Sequence, residues 1–202
     1  MPTTAQESPT VRGRLLDAMR QCLTDRGYQA TTIADIVRVA RTSKRSFYAE
    51  FADKQECYVE LLGAVNVELL AAIETAVDPA SAWPAQVRQA VHAYITVCES
   101  NPGTTRSWIR ELPALGDAAR AVQLASLEAF TALMARLTGT DRFHAAGIPP
   151  MSRETAVIVW GGIRELAAST IERGLPLSSL EEPAVAACVA LVGGTAAARA
   201  VD

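Results

Sequence analysis

Lys44, Arg45, Ser46 and Tyr48 are set around Phe47 and followed by Phe51. The two phenylalanines are four apart, so on a helix they share one face and Lys44, Arg45 and Tyr48 project from the other. Such a face suits noncovalent recognition of a polyanion. A cation beside a phosphate releases counterions, a hydroxyl donates to a phosphate oxygen, and an arginine forks onto a guanine edge. Thr31, Thr32 and Ser43 stand at expected helix N-termini, where outward N–H groups favour an anion. On charge alone, a solvated basic face reads the same way.

No other residues group into a reactive constellation. The chain lacks a nucleophile elbow, a P-loop, a dinucleotide glycine pattern and HExxH, so no enzyme is expected. Glu181 and Glu182 read as ordinary first-turn acids, and His92 as a helix residue. Cys22, Cys57, Cys98 and Cys188 are far apart, with only His92 and His144 as companions. Buried reduced thiols are expected, with no disulfide framework, metal site or cofactor.

The net charge of −3 argues against a polycation that coats nucleic acid, but it hides an asymmetry. Up to Cys57 there are nine Lys and Arg against seven Asp and Glu; beyond it, ten against fifteen. The only lysines, Lys44 and Lys54, flank the basic stretch. This balance permits nucleic-acid binding at one end of the chain.

The elements that must position these residues are helices throughout. Half of the residues are apolar, only 5% are aromatic, and β-branched runs are few, a composition that favours packed helices. About nine helices are expected: three short ones, a long connector from Asp53, and five more near 84–100, 103–111, 114–138, 152–173 and 179–200. Gly27 sits where the first should stop, Thr31 or Thr32 can cap the second, and Ser43 the third. "TGTDRFHAAGIPP" reads as a loop. Residues 1–9 form an expected flexible tail, 10–52 a helix-turn-helix domain, and 53–202 a second helical domain. The opening residues do not read as a signal peptide. The run 184–198 is shorter than the roughly 20 residues that span a bilayer. A soluble, cytoplasmic protein with no membrane partner is expected.

The order of residues in "TTIADIVRVARTSKRSFYAEFADKQECYVELL" resembles the helix-turn-helix of TetR-family transcriptional regulators. The resemblance is specific over about residues 12–62 and falls on Thr31, Thr32, Ile36, Ala40, Ser43, Lys44, Ser46, Phe47, Tyr48, Phe51, Asp53 and Lys54. It departs from the family pattern at Arg41 and Arg45, where glycine is common, and at Thr42, which follows in place of an apolar residue. A non-glycine residue held in left-handed geometry costs roughly 1–2 kcal/mol, so the turn must relax or its surroundings must absorb the strain. The resemblance implies an all-α, DNA-binding regulator, expected as a repressor released from a near-palindromic operator by a small hydrophobic inducer. An activator of the same fold, or a helical interaction module without DNA binding, is the alternative. The double-stranded operator would be met by Thr31, Thr32, Arg41, Thr42, Ser43, Lys44, Arg45, Ser46, Tyr48 and Lys54.

The resemblance also implies a homodimer through the last two long helices, where Gly161-Gly162 and Gly193-Gly194 suit close approach or tight packing within the chain. It further implies a ligand cavity walled by Tyr94, Cys98, Trp108, Phe130, Met134, Trp160 and Arg164, though such side chains also build ordinary cores. Arg106, Arg110 and Arg164 suit an anionic or carbonyl end, whereas Glu128 and Glu165 suit a cation. The arginines favour a hydrophobic, neutral or weakly acidic ligand.

Overall fold

The computed structural model describes residues 10–199, and among these the chain is all α-helix with no strand. The expected tail, residues 1–9, and the expected end of the last helix at 200 lie outside the described residues. Thr10 caps α1 (Val11–Ala30) by accepting from Gly13 N, and Leu15, Met19, Cys22 and Leu23 form its buried face. The helix breaks at Gly27, whose φ of 75° suits glycine. Thr32 caps α2 (Ile33–Val39) in a reciprocal capping box with Asp35, Ser43 caps α3 (Lys44–Glu50), and Asp53 caps α4 (Lys54–Ala76).

Six helices follow: α5 (Trp83–Ser100), α6 (Pro102–Arg110), α7 (Asp117–Thr138), α8 (Asp141–Ala145), α9 (Arg153–Glu172) and α10 (Glu181–Arg199). Short 3-10 turns at Leu112–Leu115 and Leu177–Leu180 precede α7 and α10. The described residues thus hold ten α-helices against about nine expected; the extra one, α8, lies in the stretch read as loop. Its Phe143 packs with Ile148 and Val192 in a small cluster under Trp83. A contact with distant chain therefore orders five residues too short to be helical alone.

The buried residues otherwise form two cores. One joins α1 to α3 with the first half of α4, and takes Trp108 from α6 and Leu112 just beyond it. The other packs the second half of α4 with α5, α7, α9 and α10. Helix α6 thus touches the helix-turn-helix core while lying against α9.

Among the described residues one stretch meets the length and composition of a membrane span. The segment Leu177–Gly194 is long and apolar enough by composition, because the 3-10 turn runs into α10. One side of it is core, with Val185, Cys188 and Val192 buried. Its Glu182 pairs with Arg88 of α5.

Candidate DNA interface and ligand cavity

Helices α2 and α3 are joined by a turn of defined chemistry. Arg41 N donates to Arg38 O, and Thr42 N donates to Val37 O at 2.9 Å. This is the Schellman arrangement, with Arg41 at the position that glycine favours. The turn does not relax around the arginine: Arg41 has φ 50°, the one positive value outside glycine among the described residues. Arg41→Gly is therefore expected to raise stability by up to about 1 kcal/mol, after the entropy cost of glycine offsets part of the relieved strain. Chemical denaturation measures this, and a loss of stability would mean that the Arg41 side chain holds the turn.

Helix α3 presents the expected two faces. Phe47 and Phe51 are buried in the first core, while Tyr48 is 57% exposed and meets the Phe47 ring edge-on. Arg41, Lys44 and Arg45 are exposed and have no ion-pair partner among the described residues. Neighbouring Arg26 and Arg38 both pair with Asp35. Three unneutralised cations and a phenol thus lie along the turn and α3, with half-buried Thr42 and Ser46 between them. Ser43 and Thr32, at the helix starts, have hydroxyls engaged in capping.

Two residues depart from the expected interface. Thr31 is 1% exposed, and its hydroxyl donates to Gly27 O at 2.7 Å, closing the break in α1. Lys54 turns inward: its ammonium donates to Tyr28 O and Thr31 O, each at 2.9 Å, and lies 4.1 Å from the centre of the Tyr28 ring. Burial lowers its pKa. It ties α4 to the end of α1, a role visible only once both are folded.

Behind this domain the expected ligand residues line two adjoining lobes. Tyr94 and Trp160 line both. The larger lobe, with about 680 Å³ of atom-free space counting the solvent at its mouth, takes in Phe130 and Met134. Phe130 stacks on Trp160 with ring centres 4.5 Å apart. The smaller lobe, about 450 Å³, is lined by Cys98, Trp108 and Arg164 together with Asn66, Asn101 and Thr104. Asn66 interrupts the apolar stripe Leu62, Leu69, Ile73 of α4, a sequence signal that passed unused. Burial pushes the Cys57 thiol up to about 12 and Cys188 to about 11, and raises Cys98 as well. These cysteines are packing residues.

The other expected charged contacts are spent elsewhere. Arg110 is held by both Glu165 and Glu172 of α9, with its closest contact to each at 2.7 Å. Glu128 pairs with Arg153. None of Arg106, Arg110, Glu128 or Glu165 lines either lobe.

Helix α6 links these lobes to the helix-turn-helix core. Its Thr104 and Trp108 face the smaller lobe. Its Ser107 bonds the buried Tyr58 hydroxyl and donates to the Glu111 carboxylate. Glu111 in turn accepts from Tyr28 N at the end of α1. Gly103 lies directly against the Thr24 backbone.

Helices α9 and α10 carry the main unpartnered apolar surface. Val157, Ile158, Leu166 and Leu191 are exposed. Gly161, Gly162 and Gly194 have open space where a Cβ would stand, so packing within the chain does not account for them. Gly193 differs, since its Cβ would meet the Trp83 ring at 3.3 Å.

Residues 15–61 match the family described as bacterial regulatory proteins, tetR family. No curated protein sequence matches the chain. Among solved structures, the fatty acid degradation regulator FadR of Bacillus halodurans is 15% identical, with a TM-score of 0.75 over 90% of this chain and 97% of its own. FadR of Bacillus subtilis, solved in complex with stearoyl-CoA, is 13% identical with the same TM-score and coverage. A regulatory protein of the tetR family from Rhodococcus RHA1 is 22% identical, with a TM-score of 0.67 over 92% of this chain and 98% of its own. At these identities the likeness carries the fold.

Proposed function

We propose that this chain, whose residues 15–61 match the tetR family of bacterial regulatory proteins, is a DNA-binding regulator of that family and a cytoplasmic repressor. It holds a near-palindromic operator as a homodimer and releases it when a small hydrophobic inducer enters the cavity behind α6. The observation that carries this reading is the position of α6: one helix lines a cavity lobe and also bears on the end of α1. A molecule that displaces Thr104 and Trp108 also displaces Ser107 and Glu111, and through Tyr28 the base of the helix-turn-helix. The two recognition helices then no longer match adjacent major grooves. Linkage requires operator DNA to weaken inducer binding by the same factor. No bond-making step is involved.

On the DNA side, Lys44 serves a phosphate, and Arg45 and Tyr48 read base edges from the exposed face of α3, with Arg41 and Thr42 adding contacts from the turn. Lys44→Ala is expected to weaken binding to all sequences alike and to lower the salt slope by about one. Arg45→Ala is expected to relax sequence preference, at a cost of about 1–3 kcal/mol on the cognate site. Fluorescence anisotropy on specific and random duplexes across a salt series separates the two effects. Unchanged operator affinity in a Lys44→Ala, Tyr48→Ala double variant would remove this face from the interface.

A further inference from the structure

We propose that the smaller lobe is a head-group site for a single carboxylate, and that the larger lobe takes the hydrocarbon part of the same molecule. This rests on the inducer reading above and names the chemical class of the ligand.

Three polar side chains of the smaller lobe, Arg164, Trp108 and Thr104, have a common deficit. The Arg164 guanidinium lies between two tryptophans, 4.8 Å from the Trp160 ring and 4.9 Å from the Trp108 ring. It has no hydrogen-bond or carboxylate partner among the described residues, whereas Arg110 and Arg153 nearby are each paired with glutamates. Trp108 is 7% exposed and Thr104 1%, and the indole Nε1 and the hydroxyl Oγ1 are both buried without a partner. Unpaired buried charges and donors are costly. Here a guanidinium, an indole N–H and a hydroxyl line one space with no aspartate or glutamate among its walls. Burial without a counter-charge also pushes the Arg164 pKa down to about 10.

The missing partner is an acceptor carrying one negative charge. A carboxylate offers two oxygens to the guanidinium fork and lone pairs to the indole and the hydroxyl. A cation has no acid to meet here. A neutral hydroxyl would leave the guanidinium uncompensated. Beyond the shared Tyr94 and Trp160, the larger lobe is walled by apolar side chains such as Ile73, Val91, Phe130, Met134 and Val159. Its polar exceptions are Thr138, whose hydroxyl donates to Met134 O and accepts from Met151 N, and Gln86, whose Oε1 is a buried acceptor without a partner. Arg106 and Arg110 take no part.

The test compares decanoate, decanol and decyltrimethylammonium by calorimetry and by release of operator DNA from the full chain. Decanoate is expected to bind at least about tenfold more tightly than decanol, since hydrogen bonds to a charged group are the strong ones. Arg164→Met, which removes a half-buried unpaired charge, should bring the ratio near one. Trp108→Phe keeps an aromatic face and Thr104→Val keeps the shape, and each should weaken decanoate several-fold more than it weakens decanol. Equal binding of acid and alcohol, preference for the ammonium, or a ratio that survives Arg164→Met overturns the head-group site. If decanol binds as well as decanoate and both release the operator, the inducer reading stands without the carboxylate. If no probe binds or releases DNA, both readings fall.

Discussion

Ile158→Asp combined with Gly161→Glu is expected to leave a folded monomer that has lost operator binding. Ile158 is 60% exposed, and nothing lies within 4 Å of where a Gly161 side chain would start. The fold therefore accommodates both changes. Across a two-fold interface each substitution appears twice, placing four carboxylates in surface that must exclude water, where an unpaired charge is strongly disfavoured. Stable association needs at least about 1,200 Å² of buried surface in total, centred on an apolar patch. The exposed apolar side chains of α9 and α10 are the described surface suited to that. With one recognition helix per particle, the second half-site is no longer engaged intramolecularly, and affinity should fall by about 10²–10⁴-fold. Sedimentation equilibrium and gel shift on the same sample measure both outcomes. A dimer that persists in the double variant, or after deletion of residues 176–202, would place the interface elsewhere. Alanine-to-glutamate substitution at exposed Ala190 should act in the same direction.

Gly103→Ala is expected to destabilise the chain by about 1–3 kcal/mol and to weaken DNA binding without any ligand. A Cβ there would stand 2.5 Å from Thr24 Cα, 2.6 Å from Thr24 N and 2.9 Å from Leu23 C. These are backbone atoms of α1, which no rotamer change can move aside, so α6 must shift away from α1. That shift pulls on the Glu111 contact to Tyr28 N and on the Tyr58–Ser107 hydrogen bond. The substitution thus mimics, through sterics alone, the displacement assigned to the inducer. Gly63→Ala in α4 is the control: nothing lies within 4 Å of its Cβ position, and alanine in a helix interior gains up to about 1 kcal/mol. Thermal denaturation and operator titration of the two variants separate coupling from helix propensity. Full operator affinity in a folded Gly103→Ala protein would show that α6 does not govern the DNA-binding domain. Glu111→Gln, which weakens the same link by removing charge, should reduce inducer-driven release while leaving DNA affinity close to its original value.

The sequence by itself determined what depends on near neighbours in the chain. Four-residue spacing sent Phe47 and Phe51 inward and Tyr48 outward, because helical periodicity sets the face before any packing occurs. Thr32, Ser43 and Asp53 cap their helices through bonds spanning three residues. The left-handed demand on Arg41 was legible because a Schellman turn fixes that position locally. Long-range contacts decided the rest. Thr31 and Lys54 read as DNA contacts, but a helix break and a distant ring draw them inward. Helix α8 exists because Phe143 finds Trp83, 60 residues away in sequence. The paired glycines were indistinguishable in sequence, yet Gly193 packs against Trp83 while Gly161, Gly162 and Gly194 face open space. The seven side chains grouped as one pocket wall are divided by Tyr94 and Trp160 into an apolar lobe and a donor-lined one. That division, and the lack of any acid in the lobe that Arg164 lines, arises where α4, α5, α6 and α9 converge. Whether a buried donor finds a partner depends on which distant helices surround it, and no local pattern in one sequence records that.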